Sequence, residues 1–322
     1  MFRWASDPAH RLGRIAMITP SNGKARLAIV SPLLPAQRPR PGNRVLVPVI
    51  QGQSAAFLLS IGDAIAGQCP SRGVVLSLVE IPSIWSGMAT SAVVRSRELL
   101  RWIAASDYQS GAGRTERLSI QSRFTTDPAA SIREALLETE CDTVVVEYPP
   151  LDGRRRHRLE SIVRTLSADP QVNLVVARPD PAAKGSGIRP RSVLVPLRGG
   201  ANAWLALSVG VALASWADAR LTLMHVYDRA HHHDLRRHEA ETFHELTLAA
   251  KTANPAIREL SSDDTTETIL SVARESDAVV LGAHSNQARA GLLVGGMLVS
   301  LINRLSKTVI VTRAAVDRGP VA

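Results

Sequence analysis

Residues 277–313 of the chain, DAVVLGAHSNQARAGLLVGGMLVSLINRLSKTVIVTR, decide the fold. The apolar run at residues 278–281 predicts a short buried strand that ends at Gly282. A loop rich in small residues follows, Gly295-Gly296 then introduces an apolar helical run, and a second strand is predicted at residues 308–312. This arrangement can bind phosphate, because small residues let the backbone approach an anion and the first-turn N–H groups of a helix point towards it.

This stretch resembles the signature of the universal stress protein family. That signature is a Gly, two residues, a Gly, nine residues, a Gly and then Ser or Thr, between the fourth and fifth strands of the domain. Gly282 and Gly295 match the first and third glycines, Ser285 stands where the second is expected, and Gly296 replaces the hydroxyl residue. The resemblance implies the fold of the family and only part of its ATP-binding motif.

The size and composition of the chain fit two soluble domains. Its 322 residues, 45% of them hydrophobic and 21% charged, are enough for two domains that each bury a core. The two cysteines, Cys69 and Cys141, are too few for a disulfide framework and indicate a reducing compartment. No apolar run approaches the roughly 20 residues that span a bilayer. We therefore predict a cytoplasmic protein without a transmembrane segment.

The net charge of +9 is concentrated at the N-terminus. Residues 1–43 hold seven Lys or Arg and one Asp, together with six prolines, and form a basic, proline-rich leader. Such a leader suits acidic lipid headgroups or nucleic acid, but a solvated leader explains the same charges. The rest of the chain is nearly neutral, so no nucleic-acid partner is expected.

Three strand motifs occur twice, which indicates an internal duplication. Residues 46–49 repeat at 194–197, residues 142–146 at 277–281, and residues 173–178 at 308–313. The spacing between copies falls from 148 to 135, so the first copy has additional residues between its first and fourth strands. The predicted organisation is a leader (1–43), a first domain (44–178), a linker (179–190) with a flexible stretch at 184–187, a second domain (191–314) and a tail (315–322).

Within each copy the predicted strands and helices alternate. This alternation demands a parallel sheet covered on both faces, and right-handed crossovers make it doubly wound and Rossmann-like. Asp127-Pro128 and Asp263-Asp264 are predicted to begin helices. A short strand is predicted around Ile257, and a polar helix over about 234–251. The family resemblance implies that the fifth strands of the two domains pair within the chain.

The candidate nucleotide site lies in the second domain, beyond the carboxyl ends of its strands. Its phosphate side comprises Gly282, Ser285, Gly295 and Gly296, and its base and ribose side comprises Leu197, Arg198 and Val226. Nucleotide-binding members of the family usually have an Asp where this chain has Arg198. An alternative is that the glycines only permit tight packing of strand, loop and helix.

The first domain is predicted not to bind nucleotide. Glu147 stands where the second domain has Gly282, and Tyr148-Pro149-Pro150 follows it. A carboxylate repels phosphate and prolines remove backbone donors. The basic run 154–158 follows, near the start of the fourth helix.

Metal and catalytic chemistry have little support in the sequence. Histidines cluster in the second domain, but no spacing among them matches a zinc pattern: His231, His232, His233, His238 and His244. There is no nucleophile elbow and no Walker lysine, and the cysteines lack an identifiable base. We therefore predict no metal and no enzyme activity, and a core role for the cysteines.

Two functions remain open. The pattern at residues 195–202 is similar to the tandem stress-protein tails of some bacterial amino-acid permeases. The first hypothesis is thus a non-catalytic regulatory interaction module with degenerate nucleotide sites, whose partner is an amino-acid transporter or another protein. The second is a sensor that binds ATP or AMP through the Gly-rich loop of the second domain.

Overall fold

The computed structural model describes residues 44–68, 73–81, 89–109, 117–149, 154–182, 187–229, 233–283 and 296–316. The leader, the stretch at 184–186, and part of the phosphate loop, including Ser285 and Gly295, lie outside these residues. Below, the first half means residues 44–178 and the second half residues 191–314.

Strands and helices alternate in both halves. The first half comprises β1 (Val45–Val49), α1 (Ala55–Ala66), β2 (Gly73–Glu80), α2 (Ala89–Gln109), β3 (Leu118–Thr125), α3 (Pro128–Glu138), β4 (Thr143–Glu147), α4 (Arg154–Ser167) and β5 (Asn173–Arg178). The second half comprises β6 (Ser192–Pro196), α5 (Ala201–Ala217), β7 (Arg220–Asp228), α6 (His233–Ala249), β8 (Ala256–Ser262), α7 (Thr265–Ala273), β9 (Ala278–Gly282), α8 (Gly296–Arg304) and β10 (Thr308–Arg313).

The described strands form one ten-stranded sheet in the order β3-β2-β1-β4-β5-β10-β9-β6-β7-β8. Within each half the strands are parallel and have the same order. Both faces are covered: Val45 and Val47 pack into one apolar cluster, whereas Leu46 packs into the other. The predicted α/β, doubly wound fold is confirmed. Strands such as β1 are apolar along their whole length because helices bury them on both faces of the sheet.

The two halves meet where β5 pairs antiparallel with β10, with Val176 opposite Val311 and Ala177 opposite Ile310. We call this pairing the seam. Helices also pack across it, since the Trp216 indole on α5 donates to Asp63 Oδ2 on α1 at 2.6 Å. The fifth strands of the halves therefore lie side by side within one chain.

Arg313, the last residue of β10, caps a helix of the other half. It is only 5% exposed, and its Nη2 donates to three carbonyls at and after the end of α4. The acceptors and distances are Leu166 at 3.0 Å, Asp169 at 2.7 Å and Val172 at 3.0 Å. A cation at a helix C-terminus satisfies carbonyls that lack intrahelical partners. Burial lowers the pKa of Arg313, which the neighbouring Asp169 partly opposes.

Arg178, the last residue of β5, occupies the corresponding position on the other side of the seam. Its Nη2 donates to the carbonyl of Leu305 and, at 3.0 Å, to that of Lys307, both just after α8. The two arginines form a reciprocal clasp, because each half supplies the cap for a helix of the other.

The aspartates that the sequence predicts at two helix starts do cap those helices. Asp127 accepts from the backbone of Ala129 at 3.0 Å and Ala130 at 3.2 Å, and Asp264 accepts from Glu267 at 3.0 Å. Both predicted helix starts are confirmed. The longer first half has a longer second helix, since α2 has 21 residues and α6 has 17.

Strand β8 is longer than the short strand that the sequence predicts around Ile257. It has seven residues and pairs with β7 along its length. It lies at the edge of the sheet and most of its residues are exposed, so no apolar periodicity marks its extent. None of the described helices is long and apolar enough to cross a membrane.

Candidate functional site

The loop after β6 forms the base and ribose side of the predicted site. Leu197 is buried, and its N–H donates to the carbonyl of Met224 at 2.8 Å. Its own carbonyl accepts from Nδ1 of His225 at 2.6 Å. Because a carbonyl oxygen only accepts, Nδ1 must carry the proton. Strand β7 thus holds this loop through a histidine that is 1% exposed.

A buried glutamate on α6 completes this arrangement. Glu239 Oε2 lies 3.9 Å from Nε2 of His225, and Oε1 lies 3.6 Å from Nε of Arg198. The side chain of Glu239 is 8% exposed and that of Arg198 is 62% exposed. Desolvation makes a buried carboxylate costly unless charged or polar groups surround it, as here. We call Arg198, His225 and Glu239 the loop cluster.

The sequence prediction missed His225 and Glu239. Both had a signal: His225 interrupts an apolar strand, and Glu239 shares the buried stripe of α6 with Phe243 and Leu246 at helical spacing. A charged residue at such a core position usually has a specific partner.

Tyr227 extends the loop cluster towards β8. Its ring contacts the His225 ring edge-on, with centroids 4.3 Å apart, and its hydroxyl donates to Glu259 Oε2 at 2.6 Å. Burial raises the pKa of Tyr227, and the hydrogen bond to Glu259 raises it further.

This pKa shift predicts a weakening of the fold at alkaline pH. A folded-state pKa above the unfolded value of about 10 gives stability that is fully present below pH 10 and is lost as pH rises through the folded-state pKa. Tyr227→Phe should lower the free energy of unfolding by about 1 kcal/mol at pH 8. Urea unfolding of both proteins at rising pH measures this. A gap that does not narrow above pH 10 would contradict the assignment.

Gly282 ends β9 against the first turn of α5. A Cβ at this position would lie 3.0 Å from the carbonyl oxygen of Asn202 and 3.4 Å from the nitrogen of Ala203. The Asn202 side chain then ties strand ends together: it donates to the carbonyl of Ala283 at 2.6 Å and accepts from the N–H of Ala314 at 2.7 Å. The glycine at position 282 is therefore required by packing of the chain on itself.

The remaining predicted residues are placed as follows. Val226 is half-buried and packs into the apolar cluster on the sheet face opposite to that of Leu197. Gly296 is the first residue of α8, is exposed, and has open space where a Cβ would stand. Of the predicted site residues, Leu197 thus contacts His225, Arg198 lies near Glu239, and Gly282 packs against the first turn of α5.

In the first half, Glu147 ends β4 and is followed by Tyr148, whose N–H donates to the carbonyl of Ala177 at 2.8 Å. Burial raises the pKa of Tyr148, although Arg178 and Arg156 oppose this. Arg156 and Arg158 of the basic run are engaged by Glu160 and Glu80, respectively, each at 2.7 Å. These two cations therefore form ion pairs with neighbouring carboxylates.

Other candidate groups are dispersed. His238 and His244 are exposed on α6, and within the described ranges no three His, Cys, Asp or Glu side chains gather as metal ligands would. Cys141 is a buried free thiol, and burial raises its pKa. Cys69, His231 and His232 lie outside the described residues.

The comparisons with known proteins agree with this geometry. Residues 190–313, the second half, match the family model of the Universal stress protein family. None of the curated proteins compared with the chain matches it.

Solved structures extend the fold to both halves. A universal stress protein from Archaeoglobus fulgidus DSM 4304 is 15% identical with a TM-score of 0.54, over 86% of this chain and 97% of that one. The cytoplasmic domain of a prokaryotic cation chloride cotransporter is 14% identical with a TM-score of 0.51, over 84% and 95%. A functionally unknown protein from Pseudomonas aeruginosa PAO1 is 13% identical with a TM-score of 0.50, over 84% and 92%. At these identities the likeness concerns the fold.

Proposed function

We propose that the protein is a non-catalytic regulatory module of the universal stress protein type, which acts through protein contacts and has degenerate nucleotide sites. The observation that carries this proposal is the loop cluster. Arg198 occupies the position where nucleotide-binding relatives usually have an Asp, and it lies 3.6 Å from the buried Glu239. A guanidinium only donates hydrogen bonds, so it cannot accept from a ribose hydroxyl as a carboxylate does.

The internal contacts of the loop after β6 also support degenerate nucleotide sites. The carbonyl of Leu197 is taken by His225, and the first turn of α5 lies against Gly282. Groups that would face a ribose or a base are thereby satisfied within the protein. In the first half, the carboxylate of Glu147 takes the place of Gly282 and repels phosphate.

The proposed partner is another protein, with an amino-acid transporter as the leading class. The similarity of residues 195–202 to permease tails favours this class. So does the shared fold with a domain that belongs to a cation chloride cotransporter. Both resemblances are to parts of membrane transport proteins that lie on the cytoplasmic side, and they support the cytoplasm as the proposed location of this chain.

A second candidate function is an adenine-nucleotide sensor that binds ATP or AMP through Gly282, Ser285, Gly295 and Gly296. The open space at Gly296 favours it, because none of the described residues lies within 4 Å of a Cβ at this first position of α8, which leaves room for an anion near the helix N-terminus.

Calorimetric titration of ATP and of AMP, with and without magnesium, separates the two functions. The proposed module gives no saturable heat. The sensor gives one site per chain, which Gly296→Asp abolishes by placing a carboxylate at the phosphate position. Gly296→Ala is the matched control, since it fills the same space without charge. Saturable binding that Gly296→Asp removes and Gly296→Ala retains would overturn the proposed module.

A further inference from the structure

Strand β3 is one edge of the described sheet, and half of its backbone groups face outward. It has eight residues and pairs with β2 along its whole length. The carbonyl of Thr125 accepts from the N–H of Ile81, just after β2, at 2.8 Å. Because backbone groups alternate in direction along a strand, Ile120, Ser122 and Phe124 direct their N–H and C=O groups away from β2. Among the described residues no strand pairs with that side of β3.

The side chains of these three residues lie on one face of the sheet and carry no charge. Ile120 is 47% exposed and Phe124 is 51% exposed. Ser122 lies between them and is exposed, with its Oγ 3.4 Å from a serine Oγ on α2. Arg123 points to the opposite face, where it pairs with the carboxylate that ends α3. An edge with open backbone groups and apolar side chains readily pairs with another strand, and charged side chains are what usually prevent this.

This edge is complementary to a second copy of itself. Antiparallel pairing about a two-fold axis at Ser122 sets that residue opposite the partner's Ser122 and sets Ile120 opposite the partner's Phe124. Each facing pair then consists of residues whose backbone groups point across the edge, so each pair exchanges both of its N–H···O bonds. A β-branched residue opposite an aromatic one is a favourable cross-strand pair. The same register sets Arg123 opposite the partner's Gln121, so like charges do not meet.

The opposite edge of the sheet, β8, lacks this complementarity. The carbonyl of Ser262 accepts from the N–H of Arg229 at 3.2 Å, so Ile257, Glu259 and Ser261 direct their backbone groups outward. A two-fold axis at Glu259, the middle of these three residues, would set two carboxylates directly opposite each other, which is destabilising. The two edges occupy corresponding positions in the two halves. Of the two, β3 is the one that has apolar residues on either side of a neutral centre.

We propose that two copies of the chain pair through β3, antiparallel and about a two-fold axis at Ser122, so that one sheet continues across both chains. The seam does not compete with this pairing, because β5 and β10 already pair with each other within each chain. The proposal goes beyond the function proposed above and does not depend on it, since β3 lies outside the loop cluster. A single strand pair makes a small interface, so we expect a dissociation constant on the order of 10 µM.

Sedimentation velocity of the full chain between about 1 and about 200 µM tests the proposal. The 34.6 kDa chain should pass from monomer to dimer over this range. In NMR spectra the amide signals of Ile120, Ser122 and Phe124 should shift with concentration, whereas those of Ser119 and Gln121, which are directed to β2, should shift less. A monomer at every concentration would overturn the proposal and leave this edge to a strand of a different protein.

Charge variants at the axis locate the interface. Ser122→Glu and Ser122→Lys each set like charges opposite each other and should raise the dissociation constant about fivefold. An equimolar mixture of the two variants should recover a dimer with one chain of each, because the charges then attract, and this recovery separates lost pairing from misfolding. Ser261→Glu is the matched control, since it adds the same charge to the exposed edge β8 and should leave the dimer unchanged. A dimer that survives both Ser122 variants, that the mixture fails to restore, or that Ser261→Glu dissociates would contradict an axis at Ser122.

Discussion

Arg313→Ala is expected to lower the free energy of unfolding by about 4 kcal/mol, the largest loss that we predict for a single polar side chain. The substitution removes three charge-assisted hydrogen bonds. It also removes this donor from the carbonyls of Asp169 and Val172, whereas the carbonyl of Leu166 still accepts from the N–H of Asp169 at 3.2 Å. Buried carbonyls cost more unsatisfied than a surface contact gains. Urea unfolding measures the loss, and amide hydrogen exchange should show it along β5 and β10.

Two control variants sharpen this prediction. Arg313→Lys keeps the charge but not the planar fork, so it should recover only part of the stability. Arg304→Ala removes an exposed partner of Glu267 and should change stability little. An effect of Arg313→Ala as small as that of Arg304→Ala would show that the clasp contributes nothing to the seam.

The two motif glycines that the structure describes should respond in opposite ways to alanine. Gly282→Ala should cost about 2 kcal/mol, because the new Cβ meets backbone of α5 that cannot rotate away. Gly296→Ala should be neutral or stabilise the protein by up to about 0.5 kcal/mol, because the position is open and alanine favours a helix.

Thermal and urea unfolding of both alanine variants test this difference. The pair separates a glycine required by packing from one that leaves room for a ligand. Equal losses at the two positions would contradict the packing argument for Gly282. We also expect Gly282→Ser to lower the free energy of unfolding more than Gly282→Ala does, whereas Gly296→Ser should not lower it more than Gly296→Ala.

The sequence predicted the strands well where burial decides them. The runs at 278–281 and 308–312 are buried on both faces, and such strands are continuous apolar segments. Asp127 and Asp264 were predictable because a cap bonds to residues two or three positions ahead. Strand β8 was not, since an exposed edge strand has no apolar pattern.

Contacts between distant parts of the chain could not be predicted. The carbonyls that bind Arg313 are 141 to 147 residues away in sequence, so the sequence around Arg313 does not predict these partners. The loop cluster likewise joins three elements through Arg198, His225 and Glu239.

The seam has a consequence for how the two halves can differ. In a dimer of identical chains, any substitution appears on both sides of the interface, so both sites change together. Here the paired halves are covalently joined, so dilution cannot separate them and each position occurs once. One half can therefore keep a glycine at its strand end while the other has a glutamate, and a single polypeptide presents two unlike strand ends in a fixed ratio of one to one.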